Sequence, residues 1–206
     1  MSSLSRRQVQ AKETRRVILD AALALFTSAG YGATSVADIA ERAGVALATV
    51  YSSAGTKPAL LRLLLDRIDE QADIPRQAAA LRGSDDPSDV LRRAITLIRT
   101  LTERCGDIIA SLASAAGTEP EIASVYRAGR ARHRAGSETT VHRIAALGGL
   151  RADITPDRAI AILASLNDAT VYRSLTGTYG WSFDEAEQWL FETLSRQLLA
   201  HEHGRP

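Results

Sequence analysis

Apolar residues recur at helical spacing along most of this chain, and no stretch alternates as a half-buried strand would. Glycine, proline and capping residues divide the pattern into segments. Helices are predicted over residues 12–28, 35–43, 47–53, 58–72, 87–104, 107–116, 120–147, 155–175 and 183–200. A linker-like stretch is expected after the helix that ends at residue 72, richest in turn formers at 83–88. The pattern predicts an all-α fold.

Composition narrows the class of protein. The chain has 206 residues, 45% of them hydrophobic, which is enough for a substantial core. It has one cysteine, no apolar run of about 18 residues and no apolar core of a signal peptide near its first residue. We therefore expect a cytoplasmic protein without a membrane partner.

Positive charge is concentrated near the N-terminus. Residues 1–57 contain seven Lys or Arg and four acids, a net +3, whereas the whole chain is +1. Most of the excess is supplied by five side chains: Arg6, Arg7, Lys12, Arg15 and Arg16. A basic arm on a near-neutral body suits a polyanionic partner, although a solvated tail has the same composition.

Residues 34–57 carry the most specific signal. Two short helical segments meet at Gly44, and Ala40 beside the turn is small enough for close helix packing. The second segment presents Leu47, Ala48, Thr49 and Ser52 on one side. This arrangement predicts a helix-turn-helix, whose second helix enters the major groove of DNA.

The same residues resemble the TetR family of bacterial regulators. The matching motif is spread over about residues 12–65 and reads Gly30-Tyr31-Gly32-Ala33-Thr34-Ser35-Val36-Ala37-Asp38-Ile39-Ala40, Ala43-Gly44-Val45, Ala48-Thr49-Val50-Tyr51, Thr56-Lys57 and Leu60-Leu61. The resemblance implies a three-helix DNA-binding domain at residues 1–57. It also implies a helical effector-binding and dimerisation domain at residues 58–206, with helix 58–72 connecting the two.

The resemblance assigns roles to individual residues. Thr34 or Ser35 would contact phosphate at the start of the second helix. Leu47, Ala48 and Thr49 would face base edges, with Ser52 on the same side. The DNA backbone would be held by Tyr51 and Lys57, with Arg15 and Arg16 adding salt-sensitive attraction. Tyr51 as a cover for the small core, and Thr49 and Lys57 as plain surface residues, are the structural alternatives.

Three positions depart from the usual family pattern. Ala46 stands where Ser or Thr ordinarily caps the recognition helix, which should cost about 1 kcal/mol of helix stability. Ser53-Ala54 stands where His-Phe is usual. Since that Phe packs under the turn, we expect this region to be looser or filled by other side chains.

Polar residues within apolar stripes are the candidates for an effector site. Asn167 lies between Leu163 and Val171, and His133 continues the stripe of Tyr126. A structural hydrogen bond for Asn167 and core packing for His133 are the favoured alternatives. The candidates for ligand binding are Cys105, Tyr126, Arg130, His133, Asn167 and Tyr172. Core packing is also the alternative for Cys105.

Two apolar helices near the C-terminus suggest a dimer. The segment from Pro156 to Leu175 is apolar on two sides, as expected for a helix between subunits or deep in a core. The resemblance implies that it forms a four-helix interface with the last helix. The predicted interface residues are Ile162, Leu166, Leu190, Phe191, Leu194 and Leu198. Ordinary monomer core is the alternative.

Residues for catalysis are not assembled in the sequence. No metal-ligand spacing, phosphate-binding glycine loop or nucleophile elbow is present, so we expect no enzyme, cofactor or metal. The main hypothesis is a homodimeric repressor that binds palindromic operator DNA and is released by an unidentified small-molecule effector. The alternatives are an activator on the same fold, or a helical small-molecule-binding protein or enzyme that has lost operator binding.

Overall fold

Helices joined by turns and short loops make up the described part of the chain. The computed structural model describes the backbone of residues 6–72 and 74–200 and the side chains of residues 8–64 and 74–200. The helices are α1 Arg6–Ser28, α2 Val36–Ala43, α3 Leu47–Ala54, α4 Lys57–Ala72, α5 Ile74–Arg82, α6 Pro87–Ala115, α7 Pro120–Ala146, α8 Pro156–Leu166, α9 Ala169–Arg173 and α10 Phe183–Leu198. The side chains of Arg6, Arg7, Leu65 and Ile68 lie outside the described residues. The all-α prediction is confirmed.

The chain divides into two compact units. The first comprises Met1–Glu70 and Asp107–Arg127, and the second comprises Gln71–Gly106 and Ala128–Pro206. The predicted boundary after residue 57 therefore differs from this division, since the first unit also takes part of α4, the end of α6 and the start of α7.

The first unit has a small core of side chains drawn from α1 to α4. Ile18, Ile39 and Val50 are fully buried, one from each of the first three helices, and Leu60 and Leu61 of α4 are equally buried. The apolar spacing of each short helix turns one face inward, and burial of these faces holds helices that are too short to be stable alone.

The second unit has the larger core. Buried residues of α6, α7, α8 and α10 line it, including Leu91, Ile144, Leu163 and Leu194. The end of α10 is tied to the segment after α7, where Arg151 N–H donates to the Leu198 carbonyl at 2.9 Å and Ala200 N–H donates to the Gly149 carbonyl at 2.8 Å.

Two boundaries predicted from the sequence were wrong. Helix α6 runs unbroken from Pro87 to Ala115, through Gly106, where two helices were expected. A single internal glycine costs only about 1 kcal/mol relative to alanine, so packing on both sides carries the helix across it. The expected linker also contains a helix, α5, which is anchored by the buried side chain of Leu81.

The predicted helix over residues 155–175 is also interrupted. Helix α8 ends at Leu166, and α9 begins after Asp168, whose carboxylate accepts the Thr170 N–H at 2.8 Å. Asp side chains favour such caps over helix interiors because they compete for backbone N–H groups. A π-helical turn, Ser174–Thr178, follows α9.

Candidate functional site

Helices α2 and α3 form a helix-turn-helix around Gly44. Gly44 has φ +66° and ends α2 in the left-handed conformation, which suits a residue without a Cβ atom. Its N–H donates to the Glu41 carbonyl at 3.1 Å, and Val45 N–H donates to the Ala40 carbonyl at 3.1 Å. Ala40 is buried beside the turn, as its small side chain predicted.

Helix α3 has one anchored face and one exposed face. Val50 and Ala54 are buried, whereas Leu47 is 44% exposed and Tyr51 is 51% exposed. Exposed Ala48 and Ser52 share the outer side, and Thr49 is half-buried. Two large apolar side chains held in solvent on a short anchored helix are typical of a contact surface.

The N-terminus of α2 is presented by Ser35 and not by Thr34. Ser35 forms a reciprocal cap with Asp38, whose backbone N–H donates to the Ser35 hydroxyl at 3.1 Å. Thr34 is only 3% exposed, and its hydroxyl donates to the Gly30 carbonyl at 2.9 Å. The structure therefore removes Thr34 from the predicted phosphate contacts, because its hydroxyl is buried and occupied.

Lys57, which the resemblance assigned to the DNA backbone with a plain surface residue as the alternative, is partly buried. Its Nζ donates to the carbonyls of Tyr31 and Thr34, at 3.0 Å each. The same Nζ lies 4.4 Å from the centroid of the Tyr31 ring. The Lys57 side chain is therefore bound within the protein. Because Tyr31 lies 26 residues before it in the chain, the sequence pattern gave no sign of this contact.

The two arginines of α1 also have partners. Arg15 Nε donates to the Ser53 carbonyl at 2.7 Å. Arg16 forms ion pairs with Glu13 at 2.6 Å and Asp20 at 2.7 Å. Arg15 thus lies against the end of α3, whereas the charge of Arg16 is balanced on its own helix.

The small side chains at the end of α3 leave open space beside them. A shallow open groove of about 390 Å³ is lined by Ser52, Ser53, Ala54 and Gly55 together with Arg15 of α1 and Ala59, Arg62 and Leu63 of α4. The N-cap of α3, Ala46, makes no side-chain hydrogen bond. Both observations lie where the sequence departs from the usual family pattern.

Comparison with known proteins identifies the family. Residues 18–64 match the family described as "Bacterial regulatory proteins, tetR family". A Bacillus subtilis protein described as an uncharacterized HTH-type transcriptional regulator is 31% identical over 115 residues, 55% of each chain. The HTH-type transcriptional repressor KstR of Mycolicibacterium smegmatis is 42% identical over 72 residues, 35% of each chain. The matched region thus spans about half or less of these relatives.

A solved structure extends the likeness to most of the chain. A regulator from Saccharomonospora viridis, crystallised with choline, has a TM-score of 0.74 and 26% identity, covering 92% of this chain and 100% of that chain. Residues 18–64 form a TetR-family DNA-binding region. The resemblance that the motif around Gly44 carried is confirmed, together with the fold it implied.

The second unit contains an ion pair with one buried member at the α8–α9 break. Asp168, 6% exposed, forms an ion pair with Arg130 of α7. His133 Nε2 lies 3.0 Å from the Ala164 carbonyl and 3.7 Å from the Asp168 carboxylate. Burial raises the pKa of Asp168, but hydrogen bonds from Arg130 and Thr170 outweigh it and leave this pKa below its ordinary value.

The other effector candidates are largely core residues. Asn167 is buried, and its Nδ2 donates to the Ala94 carbonyl at 3.0 Å, the structural alternative stated from the sequence. Tyr172 is fully buried, and burial raises its pKa. Cys105 is also buried, which raises the pKa of its thiol, and Tyr126 belongs to the first unit. The structure thus brings together Arg130 and His133 around Asp168, a residue that sequence reasoning missed.

Half of the predicted dimer interface lies inside the protomer. Leu190, Leu194 and Leu198 of α10 are fully buried in the second unit's own core, so these three predictions were wrong. Their spacing identified a buried face but not what buries it. Ile162, Leu166 and Phe191 are partly buried, and their part in an interface stays a prediction.

Two further features, a membrane-spanning helix and a metal-binding cluster, are absent from the described residues. No helix in that part of the chain is long and apolar enough to span a membrane. Among the same residues, no group of three or more His, Cys, Asp and Glu side chains is arranged to hold a metal ion. His201 and His203 lie outside the described residues.

Proposed function

We propose that this protein is a ligand-responsive repressor, which binds palindromic operator DNA as a homodimer and leaves it when a small-molecule effector binds the second unit. The observation that carries the proposal is the exposure of Leu47 and Tyr51 on a helix anchored by Val50 and Ala54. Two such helices, one turn of DNA apart (~34 Å), would enter successive major grooves.

Direct reading of bases would depend on few polar groups. Leu47 and Ala48 offer methyl groups that suit the thymine C5-methyl, and Thr49 offers one hydroxyl. Ser35 and the N-terminus of α2 suit a phosphate, as does Tyr51. Since these contacts leave much of a site unread, part of the specificity would come from DNA shape.

The sign of regulation and the effector rest on relatives. The Mycolicibacterium relative is described as a repressor, and the Saccharomonospora neighbour as a choline complex. A small molecule bound near Arg130, His133 and Asp168 would favour a conformer whose recognition helices do not match the operator. DNA and effector would then oppose each other by linkage. A protein that binds operator DNA would be located in the cytoplasm.

Fluorescence anisotropy with the DNA upstream of the protein's own gene tests the proposal. We expect tight binding. The logarithm of the association constant should fall linearly with the logarithm of the salt concentration. Leu47→Ala should weaken specific binding, whereas Ala161→Ser, an exposed change on α8, should not. Selection of bound fragments from random duplexes covers the case of an operator elsewhere. Failure to bind any duplex at low salt would refute the regulator and favour the small-molecule-binding protein or enzyme.

The effector and the sign of regulation need separate measurements. Small molecules, including choline, are screened for those that raise the thermal stability of the full chain. A true effector should lower DNA affinity by the same factor by which DNA lowers effector affinity. A reporter gene behind the selected operator should be silenced by the protein, and activation would instead support the activator.

A further inference from the structure

We propose that Lys57 is a positioning residue, which fixes the turn between α1 and α2 and thereby sets where Ser35 and the N-terminus of α2 meet DNA. The proposal rests on the proposed DNA-binding function. It assigns Lys57 to the inside of the domain, in place of the direct phosphate contact that the family resemblance implied.

The bonding of the Lys57 ammonium group supports this role. It donates to two backbone carbonyls, those of Tyr31 and Thr34, at 3.0 Å each. Both carbonyls belong to residues whose side chains are at most 3% exposed. Charge-assisted bonds to backbone carbonyls are stronger than neutral ones. Loss of the ammonium group would weaken the hydrogen bonding of both carbonyls, although the Tyr31 carbonyl would keep the Thr34 N–H at 3.3 Å as a donor.

The position of Lys57 within α4 points the same way. Lys57 is the first residue of α4, where the positive end of the helix dipole disfavours a cation. The Tyr31 and Thr34 carbonyls, together with the face of the Tyr31 ring 4.4 Å away, supply the opposing negative potential. A lysine at this place is therefore held by the turn, and the turn is held by the lysine.

The turn that Lys57 grips leads directly into the candidate DNA contact. One backbone hydrogen bond spans this turn, from the Thr34 N–H to the Tyr31 carbonyl at 3.3 Å. Ser35, the cap of α2, is the next residue after Thr34. Movement of the Thr34 carbonyl would therefore shift the N-terminus of α2, whose N–H groups and hydroxyl need sub-ångström placement on a phosphate.

The first experiment uses amine labelling of the full chain without DNA. The sequence contains only two lysines, so Lys12, which is exposed on α1, is an internal reference. An acetylating reagent followed by mass spectrometry should modify Lys57 about tenfold more slowly than Lys12, because two hydrogen bonds must open first. Equal labelling rates would overturn the proposal, whatever the protein does with DNA.

The second experiment separates positioning from direct contact with DNA. Lys57→Met should weaken binding to the selected operator about tenfold while the slope of log affinity against log salt stays unchanged, because no charged phosphate contact is lost. Lys57→Arg should restore binding, since a guanidinium can also bridge two carbonyls. Lys12→Met is the matched control for loss of one positive charge.

The outcomes distinguish the two roles. A slope lower by about 0.9 in Lys57→Met, beyond any change in Lys12→Met, would mean a direct phosphate contact and would overturn the proposal. Unweakened binding by Lys57→Met would overturn it as well. If Lys57→Met fails to fold, the proposal is judged by the ratio of the labelling rates of Lys57 and Lys12 and by the DNA binding of Lys57→Arg. Absence of DNA binding by the unmodified chain would refute the proposed function and leave the labelling result to judge the turn.

Discussion

A capping hydroxyl at position 46 should stabilise the recognition helix. Ala46 is the N-cap of α3, with φ −66° and ψ 146°, and makes no side-chain hydrogen bond. Ser182, the N-cap of α10, has φ −71° and ψ 160°, and its hydroxyl accepts the Glu185 N–H at 3.2 Å. Because the two backbones are nearly alike, Ala46→Ser should direct its hydroxyl toward the Thr49 N–H.

The structure limits the size of this effect. A capping hydroxyl is ordinarily worth about 1 kcal/mol. Thr49 N–H, however, already donates to the Ala46 carbonyl at 2.8 Å, so the new bond would share an occupied donor. We therefore expect the lower part of the range, about 0.5–1 kcal/mol. Local opening of α3 should become about two- to fivefold rarer.

Amide hydrogen exchange of the full chain measures this opening. The amides of residues 50–54 should exchange about two- to fivefold more slowly in Ala46→Ser, while those of residues 39–43 in α2 serve as reference. Ala48→Ser makes the same chemical change two residues further on, inside the helix, where the side chain cannot act as a cap, and should leave exchange unchanged or slightly faster. Equal slowing by both variants, or none by Ala46→Ser, would refute the reasoning.

Three further predictions follow from burial and charge. Leu194→Ala should lower the free energy of unfolding, measured by urea denaturation, by about 2–5 kcal/mol because the side chain is fully buried. Phe191→Ala should lower it by less. If Leu194→Ala changed only dimerisation, measured by sedimentation, the prediction would be contradicted. Arg130→Ala should cost about 1 kcal/mol at pH 7, since Arg130 is half exposed, while Asp168 loses its cation. The lowered pKa of Asp168 gives stability above about pH 4 that is lost as pH falls through the folded pKa, so urea midpoints of Arg130→Ala should fall less steeply in acid than those of the unmodified chain. Leu47→Ala should weaken operator binding by about 1 kcal/mol in anisotropy and leave the urea midpoint within error, because the side chain is 44% exposed; a large loss of stability would place Leu47 in the core.

Local features of the sequence predicted local features of the fold. The spacing of Ile39, Gly44 and Val50 fixes two short helices, the turn between them and the face that each buries. The capping pattern of Ser35 and Asp38 predicted the start of α2, which is where the structure has it. These features depend on neighbours within about one helical turn, so they can be read from residue order.

Long-range contacts decided what the spacing left open. A helical stripe of leucines shows that one face is buried, but Leu190, Leu194 and Leu198 turn that face to their own core and not to a partner. The break between α8 and α9 depends on Asp168, which is paired with Arg130 at a separation of 38 residues. An expected continuous helix gave way because the buried carboxylate needs that cation and a backbone N–H.

The helical class, the family and the outward face of α3 can be read from residue order, since each depends on residue types at fixed short spacing. The burial of Thr34 and the hold of Lys57 on the turn at Tyr31 follow only from the folded chain. A side chain's hydrogen-bond partner is whichever group the fold brings within about 3 Å, and residue order alone does not fix that distance.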